Sequence, residues 1–318
     1  MRNSEEARIF ADKATRGVLS HAYIIDGDAG IGKLDFALEC ARAVVCTGSK
    51  KPCGYCEGCL KALGNGHPDI YIYGKEKAAS IDDVREIIRR AGIKPNDSDK
   101  QVFIVNNAAK LREEAQNALL KIFEEPPETV VIFLLTDTRS RLLPTLLSRG
   151  QRIRLDGCTD EEMTEILKNS PEKYDKISLE AAVSAAKGNI GEAKLLLSKD
   201  RAALRAKAAD MLAAALSRQS YELMSLLVLP KYKRENLAAL LDEFVSLISE
   251  LSKIKYGAEA HLFPESEKAR VPAEKTSKKI LSRMGEYALR CRASLDSNVN
   301  VTAATTKLSI DLLTTAAK

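Results

Sequence analysis

One stretch constrains the fold of this chain more than any other: Gly27-Asp28-Ala29-Gly30-Ile31-Gly32-Lys33-Leu34. It follows the apolar run Ala22-Tyr23-Ile24-Ile25 and precedes an amphipathic segment from Asp35 onward. The order reads as strand, phosphate loop, helix, which places an α/β core in this part of the chain. Gly27, Gly30 and Gly32 let successive backbone N–H groups turn inward around a phosphate, and the helix N-terminus adds positive potential. Lys33 is then the side chain that reaches the terminal phosphates. The pattern calls for Ser or Thr after the lysine, whose hydroxyl ligates magnesium, but Leu34 stands there. The loop is therefore expected to hold phosphate without a metal ligand of its own. The alternative is a glycine-rich turn that takes no nucleotide.

A chain of 318 residues with 45% hydrophobic content is long enough for roughly two or three domains with real cores. It has no apolar run near the ~20 residues of a membrane helix, and its first residues do not read as a signal peptide. A cytoplasmic protein without membrane contact is expected. The net charge of +5 fits contact with nucleic acid or with an anionic protein.

Four of the seven cysteines crowd into one segment as Cys46, Cys53, Cys56 and Cys59. This looks like a metal site in a reducing compartment rather than a disulfide framework. Four sulfurs satisfy tetrahedral zinc, and two-residue gaps with glycine let the chain fold back on one centre. With every position filled by protein, such a site is structural. An iron–sulfur ligand set also uses two-residue gaps, but its usual bacterial run ends in a further Cys-Pro that is missing here. Free thiols are the third reading. Cys40, Cys158 and Cys291 read as small core or surface residues.

Further along, helical spacing runs through residues 4–19 and again from Lys33 to Val45, where Leu34, Leu38, Ala41 and Val45 share a face. His21, at a strand entrance with no acid or nucleophile nearby in sequence, reads as structural. Residues 70–73 alternate like a strand, and Ser80 with Asp83 forms a capping box for a helix to Ala91. The Arg89-Arg90 pair at its end suits the helix dipole. Residues 101–105 and 130–135 are continuous apolar runs, as in parallel strands buried on both faces. In a working phosphate-loop ATPase the first of these ends in a magnesium-binding Asp, often followed by a Glu that orients water. Here it ends Asn106-Asn107. A helix over 112–125 stops at Pro126-Pro127, and 152–155 is a short strand. Thr159 with Glu162 opens a helix to about 169, with further helices at 178–187 and 191–197. Beyond residue 199 nearly all is helical, broken at Pro230 and by a polar loop over 258–272 that contains His261. With no catalytic constellation, this half reads as a bundle for packing or oligomerisation.

The string Gln116-Asn117-Ala118-Leu119-Leu120-Lys121-Ile122-Phe123-Glu124-Glu125-Pro126-Pro127, with Leu142-Leu143-Pro144 and Ser148-Arg149, resembles the bacterial DNA polymerase III clamp-loader family of AAA+ proteins. The cysteine module after the first helix of the phosphate loop is similar to that of the gamma/tau and delta-prime members. The resemblance is detailed to about residue 155 and architectural beyond it. It implies an α/β AAA+ domain over 1–157 with a zinc module at 46–59, a helical lid over 158–199, and an all-α collar over 200–318 that oligomerises. The two broken nucleotide motifs point to the delta-prime branch, a stator, rather than to the gamma/tau motors.

That resemblance implies a hetero-oligomer with gamma/tau and delta subunits, acting through the complex on a sliding clamp and primed DNA as part of the polymerase holoenzyme. It implies structural zinc, weak or absent ATP binding and no ATPase activity of the chain's own. Arg149 would be an arginine finger for a neighbour's nucleotide; the plainer reading is a pair with a carboxylate at the sheet edge. Two departures stand out. The family's Ser-Arg-Cys reads Ser148-Arg149-Gly150, and its second sensor reads Gly188-Asn189-Ile190-Gly191-Glu192, an acid where a nucleotide-sensing arginine belongs. The alternatives are a gamma/tau-like motor, or a phosphate-loop small-molecule kinase, which would need a second pocket of carboxylates and arginines.

Overall fold

Short segments rich in β-branched and aromatic residues build one parallel sheet: β1 (Ala22–Asp26), β2 (Ile70–Tyr73), β3 (Gln101–Val105), β4 (Val130–Thr136) and β5 (Gln151–Arg154). The computed structural model describes residues 2–64, 66–75, 77–170, 172–258, 262–297 and 299–316. The strand order is β2-β3-β4-β1-β5, with every pair parallel. Because side chains alternate across a strand, neighbouring residues feed two different cores. Tyr23, Ile25, Val131, Phe133 and Leu135 pack with α1 (Arg2–Thr15) and α2 (Lys33–Val45). Ile24, Phe103, Ile132 and Leu134 pack with α4 (Ile81–Ala91), α5 (Glu113–Glu124) and α6 (Pro144–Leu147), while α3 (Glu57–Leu63) lies against α2. A sheet covered on both faces needs continuous apolar strands, and β1, β3 and β4 are buried along their whole length. The expected capping box is present: Ser80 N donates to Asp83 Oδ2 at 2.7 Å and Asp83 N returns to Ser80 Oγ at 3.3 Å.

The turn before β2 carries a feature that sequence reading passed over. Asp69 is fully buried. Its carboxylate accepts from Asn96 N and Nδ2 (2.6 and 2.9 Å), Asp97 N (2.8 Å), and Ser98 N and Oγ (2.9 and 3.1 Å). Burial works to raise its pKa, but these donors outweigh burial and hold it below the usual 3.8. The stabilisation is therefore complete above the unfolded value and is lost as pH falls through the folded one. Asp69→Ala is expected to cost about 3 kcal/mol by urea unfolding, because it strands several buried donors at once. A change under about 0.5 kcal/mol, the range of surface substitutions, would contradict this account.

By spatial grouping the chain forms two units, Met1–Glu162 with Gly188–Gly191, and Met163–Lys187 with Glu192–Lys318. Apart from residues that join it to the first unit, the second is helical: α7 (Asp160–Lys168), α8 (Lys176–Ala186), α9 (Ile190–Leu196), α10 (Lys199–Leu216), α11 (Ser220–Leu227), α12 (Arg234–Lys255), α13 (Glu267–Lys275), α14 (Lys278–Asp296) and α15 (Val301–Ala316). Ala208, Ala209, Leu212 and Ala215 of α10 pack with Leu240, Phe244, Met284 and Leu312 in one core. The alanines of α10 permit that close approach while favouring the helix. Pro230 lies between α11 and α12, as expected.

The loop expected over 258–272 is corrected by the structure. Residues Pro264–Ser266 make a 3-10 turn and α13 follows, with Pro272 inside it. Ala269 and Ala273 face the core, Arg270 pairs with Glu267 (3.2 Å) and Glu274 (3.0 Å), and Lys255 Nζ donates to the carbonyls of Ala273, Glu274 and Thr276 at the helix end. Tertiary capping thus offsets the hydrogen bond that proline removes. His261 lies outside the described residues. Among the described residues, no helix is long and apolar enough to cross a membrane.

Candidate functional site

The loop from Gly27 to Gly32 leaves the carboxyl end of β1, where open parallel sheets hold their ligands. Gly30 (φ +82°) and Gly32 (φ +92°) occupy left-handed conformations, which is why glycine is required there. Lys33 opens α2 and is buried, but it turns back on its own loop: Nζ donates to Gly27 O and Asp28 O, each at 2.7 Å. Burial lowers its pKa against the opposing pull of Asp137, Asp28 and Asp26. The outer rim is also taken. Asn189 Nδ2 donates to Ala29 O at 2.6 Å and Gly191 N to Gly30 O at 2.8 Å. A Cβ on Gly191 would come within 2.6 Å of Gly30 O. The segment expected to sense nucleotide therefore lies directly on the loop. Beneath it, Asp26 is held by Arg152 through Nε–Oδ1 (2.7 Å) and NH2–Oδ2 (2.6 Å).

At the end of β3, Asn106 Nδ2 donates to Gly74 O at 3.2 Å and its Oδ1 accepts from Asn107 N at 3.1 Å. Asn107 itself has φ +52°, a conformation that asparagine tolerates better than most residues. Both asparagines thus serve the turn, and neither offers a carboxylate. Leu34 packs beside the sheet core.

Arg149 follows α6 and is exposed. Its NH2 lies 3.1 Å from Glu124 Oε1 and its NH1 donates to Thr145 O at 3.1 Å. At Gly150 an added Cβ would come within 2.7 Å of the Ile24 side chain, so the cysteine of the family pattern would require that buried isoleucine to shift.

Cys46, Cys53, Cys56 and Cys59 converge, with all four sulfurs within 4.8 Å of one another. Cys46 ends α2 and Cys56 caps α3, which carries Cys59. The separations Cys56–Cys46 and Cys53–Cys59 are 3.8 and 4.0 Å. A tetrahedron with metal–sulfur bonds of about 2.3 Å has edges of about 3.8 Å, so the set fits a single ion. Backbone N–H groups point at the sulfurs: Gly48 and Cys53 at Cys46 (3.3 Å each), Cys56 at Cys53 (3.4 Å) and Cys59 at Cys56 (3.4 Å). Against burial, such donors lower the Cys56 thiol to about 5, whereas burial dominates at Cys59 and pushes it up to about 12. With Cys59 deprotonated as well, four thiolates would need a cation at their centre. Sulfurs this close suit one ion rather than a cluster of several.

Part of the chain is similar to known proteins. Residues 2–159 match the family model described as DNA polymerase III, delta subunit. Over 140 residues the chain is 35% identical to DNA polymerase III subunit delta′ of Bacillus subtilis, covering 42% of each. Over 137 residues it is 37% identical to the gamma/tau subunit of Mycobacterium bovis, covering 42% of this chain and 24% of that one. The matched stretch thus spans less than half the length of these relatives. Among solved structures, a DNA polymerase III gamma subunit-related protein of Thermotoga maritima aligns over 99% of this chain and 100% of its own, with a TM-score of 0.54 at 18% identity, a likeness of fold.

Proposed function

We propose that this chain, whose residues 2–159 match the family model described as DNA polymerase III, delta subunit, is a delta-prime-like stator subunit of a clamp loader. In this reading 1–157 form an AAA+ module with zinc bound by Cys46, Cys53, Cys56 and Cys59, 158–199 a lid, and 200–318 a collar. The collar assembles with gamma/tau and delta subunits in the cytoplasm, and the complex opens a sliding clamp at primed DNA.

One observation carries the stator reading. The carbonyls of the phosphate loop are tied to the chain's own groups, Gly27 O and Asp28 O to Lys33, Ala29 O to Asn189 and Gly30 O to Gly191 N. At the same time Leu34, Asn106 and Asn107 stand where magnesium ligands and a water-orienting acid are needed. Phosphoryl transfer depends almost wholly on positioning and charge stabilisation, and this site lacks the metal ligands and the acid that supply most of both. The zinc is structural: four protein sulfurs leave no place for water or substrate.

The purified chain is expected to release phosphate from ATP no faster than its Lys33→Ala variant. Leu34→Thr alone should not change this, since Asn106 and Asn107 still carry no charge. Co-purification with gamma/tau and delta subunits tests the assembly. A motor subunit is the second reading, favoured by the 37% identity to a gamma/tau protein. Turnover by the wild-type chain that Lys33→Ala abolishes would establish it and overturn the stator.

A further inference from the structure

The second, helical unit carries a hollow of about 220 Å³. Its walls come from the end of α8, from α9 and α10, from the second half of α12, and from residues 262–266. Arg205 of α10 lies in the wall and is 6% exposed. Its guanidinium sits 3.8 Å from the centre of the Phe263 ring, an aromatic face that holds its plane. Among the described residues it makes one hydrogen bond, NH1 to Leu196 O at 2.7 Å. Glu265 Oε2 lies 3.7 Å from Nε, near enough for an ion pair but too far for a hydrogen bond, so both buried atoms lack a hydrogen-bond partner. A guanidinium has five N–H donors, and a buried one that uses a single donor is under-satisfied. Burial lowers its pKa and outweighs the opposing pull of Glu265 and Glu243.

The charges on the wall are unevenly paired. Glu243, also buried, is held by Arg201 at 2.6 Å, and Glu250 by Lys253 at 2.5 Å. Lys187, the left-handed residue that ends α8, is exposed and has no ion pair among the described residues. The acids are thus occupied, while Arg205 and Lys187 keep capacity for an anion. Leu247, Leu262 and Phe263 add hydrocarbon to the same wall. An engineered cavity of about 150 Å³ in another protein holds benzene, so this hollow has room for such a ring with a charged arm. Water can satisfy the arginine, but only a ligand with a hydrocarbon body takes the apolar wall out of water.

We propose that this hollow binds a small carboxylate with an apolar body, its charged end on Arg205 and Lys187 and its body against Leu247, Leu262 and Phe263. Arg205 recognises the carboxylate with paired N–H donors, and Lys187 adds a point charge. Because α8 and α12 both line the hollow, an occupant braces one against the other and stabilises the folded chain by mass action.

The test is a titration of the isotope-labelled full chain with benzoate, followed by amide chemical shifts, with benzamide and benzylammonium as neutral and cationic matches. Benzoate is expected to saturate at a Kd of about 1 mM or tighter, with the shifts gathered at residues 181–187, 243–253 and 262–266. Benzamide and benzylammonium should bind at least about tenfold more weakly, since a charged acceptor makes hydrogen bonds roughly twice as strong as a neutral one. Ala185→Phe, at an exposed position on the wall, should fill the hollow and abolish the shifts. Lys187→Gln should weaken benzoate about threefold or more, as expected of one lost charge near the surface. Lys194→Gln, at an exposed position of α9 away from the wall, should match wild type. Arg205→Lys keeps the charge but loses the fork, and should weaken benzoate about tenfold. Since Arg205 is buried, the two exposed wall variants decide the matter if that one does not fold. Absence of saturable benzoate binding, equal binding of benzamide or benzylammonium, or wild-type affinity in Ala185→Phe, Lys187→Gln or folded Arg205→Lys overturns the proposal. Shifts gathered at the Lys33 loop instead overturn it as well.

Discussion

Arg149→Ala, in an otherwise intact assembled loader, is expected to cut clamp-stimulated, DNA-dependent ATP hydrolysis at one neighbouring site by up to about 10³-fold, while assembly is unchanged. The chain's own site lacks the magnesium ligands and the water-orienting acid that hydrolysis needs, yet an exposed guanidinium is kept after α6. Its present partner holds it weakly: Glu124 lies 3.1 Å away and both side chains are well exposed. An exposed pair of this kind is worth about 0–1 kcal/mol and is screened by salt. A neighbour's triphosphate, with more negative charge, can take the guanidinium from Glu124. Two further variants sharpen the test. Arg149→Lys should recover little, because an ammonium cannot fork across two phosphate oxygens. Glu124→Gln should leave hydrolysis at or above wild type, since it removes only the competing acid. Unchanged turnover and clamp loading in Arg149→Ala would leave this arginine with only its structural contacts to Glu124 and Thr145.

The second large effect is expected at the cysteine module. Protein purified without added metal should carry about one zinc per chain, and Cys56→Ser should lose it. Small structural zinc sites supply on the order of 10 kcal/mol of apparent binding energy at neutral pH, so the segment around Cys46–Cys59 should then open. Hydrogen exchange would show this as fast exchange at Gly48, Cys53, Cys56 and Cys59, whose N–H groups now point at sulfur. The sheet should stay protected, because β1, β3 and β4 are buried in cores that contain none of the four sulfurs. Metal-free wild-type protein, a coloured iron centre, or unaltered exchange in Cys56→Ser would each refute this.

Much of the α/β unit was legible before any coordinates. Apolar runs of the length of β3 and β4 can be satisfied only with cover on both faces, and α2 and α4 begin where loop glycines or a capping box start them. The convergence of the four cysteines was legible too, because two-residue gaps already bring neighbouring sulfurs together. The turn at 264–266 and helix α13 were not. Pro272 and the polar residues around it argue for a loop, and the helix is held by Lys255, a residue on α12. Nor was the Asp69 network, whose donors come from 27 to 29 residues away.

By itself, then, the sequence determined the strand–loop–helix core, the absence of a hydroxyl after Lys33 and of acids after β3, and a sulfur set for one metal ion. These are properties of residue type and short spacing, which local backbone chemistry reads directly. Only the tertiary structure decided that Lys33 turns back on its loop, that Asn189 reaches across 160 residues to Ala29, and that Gln116 joins the turn after β3 to the one after β4. Each depends on which distant groups compete for the same donor or acceptor. That competition is settled by the packing of the whole unit, because a buried polar atom takes whichever partner the fold brings within hydrogen-bonding reach.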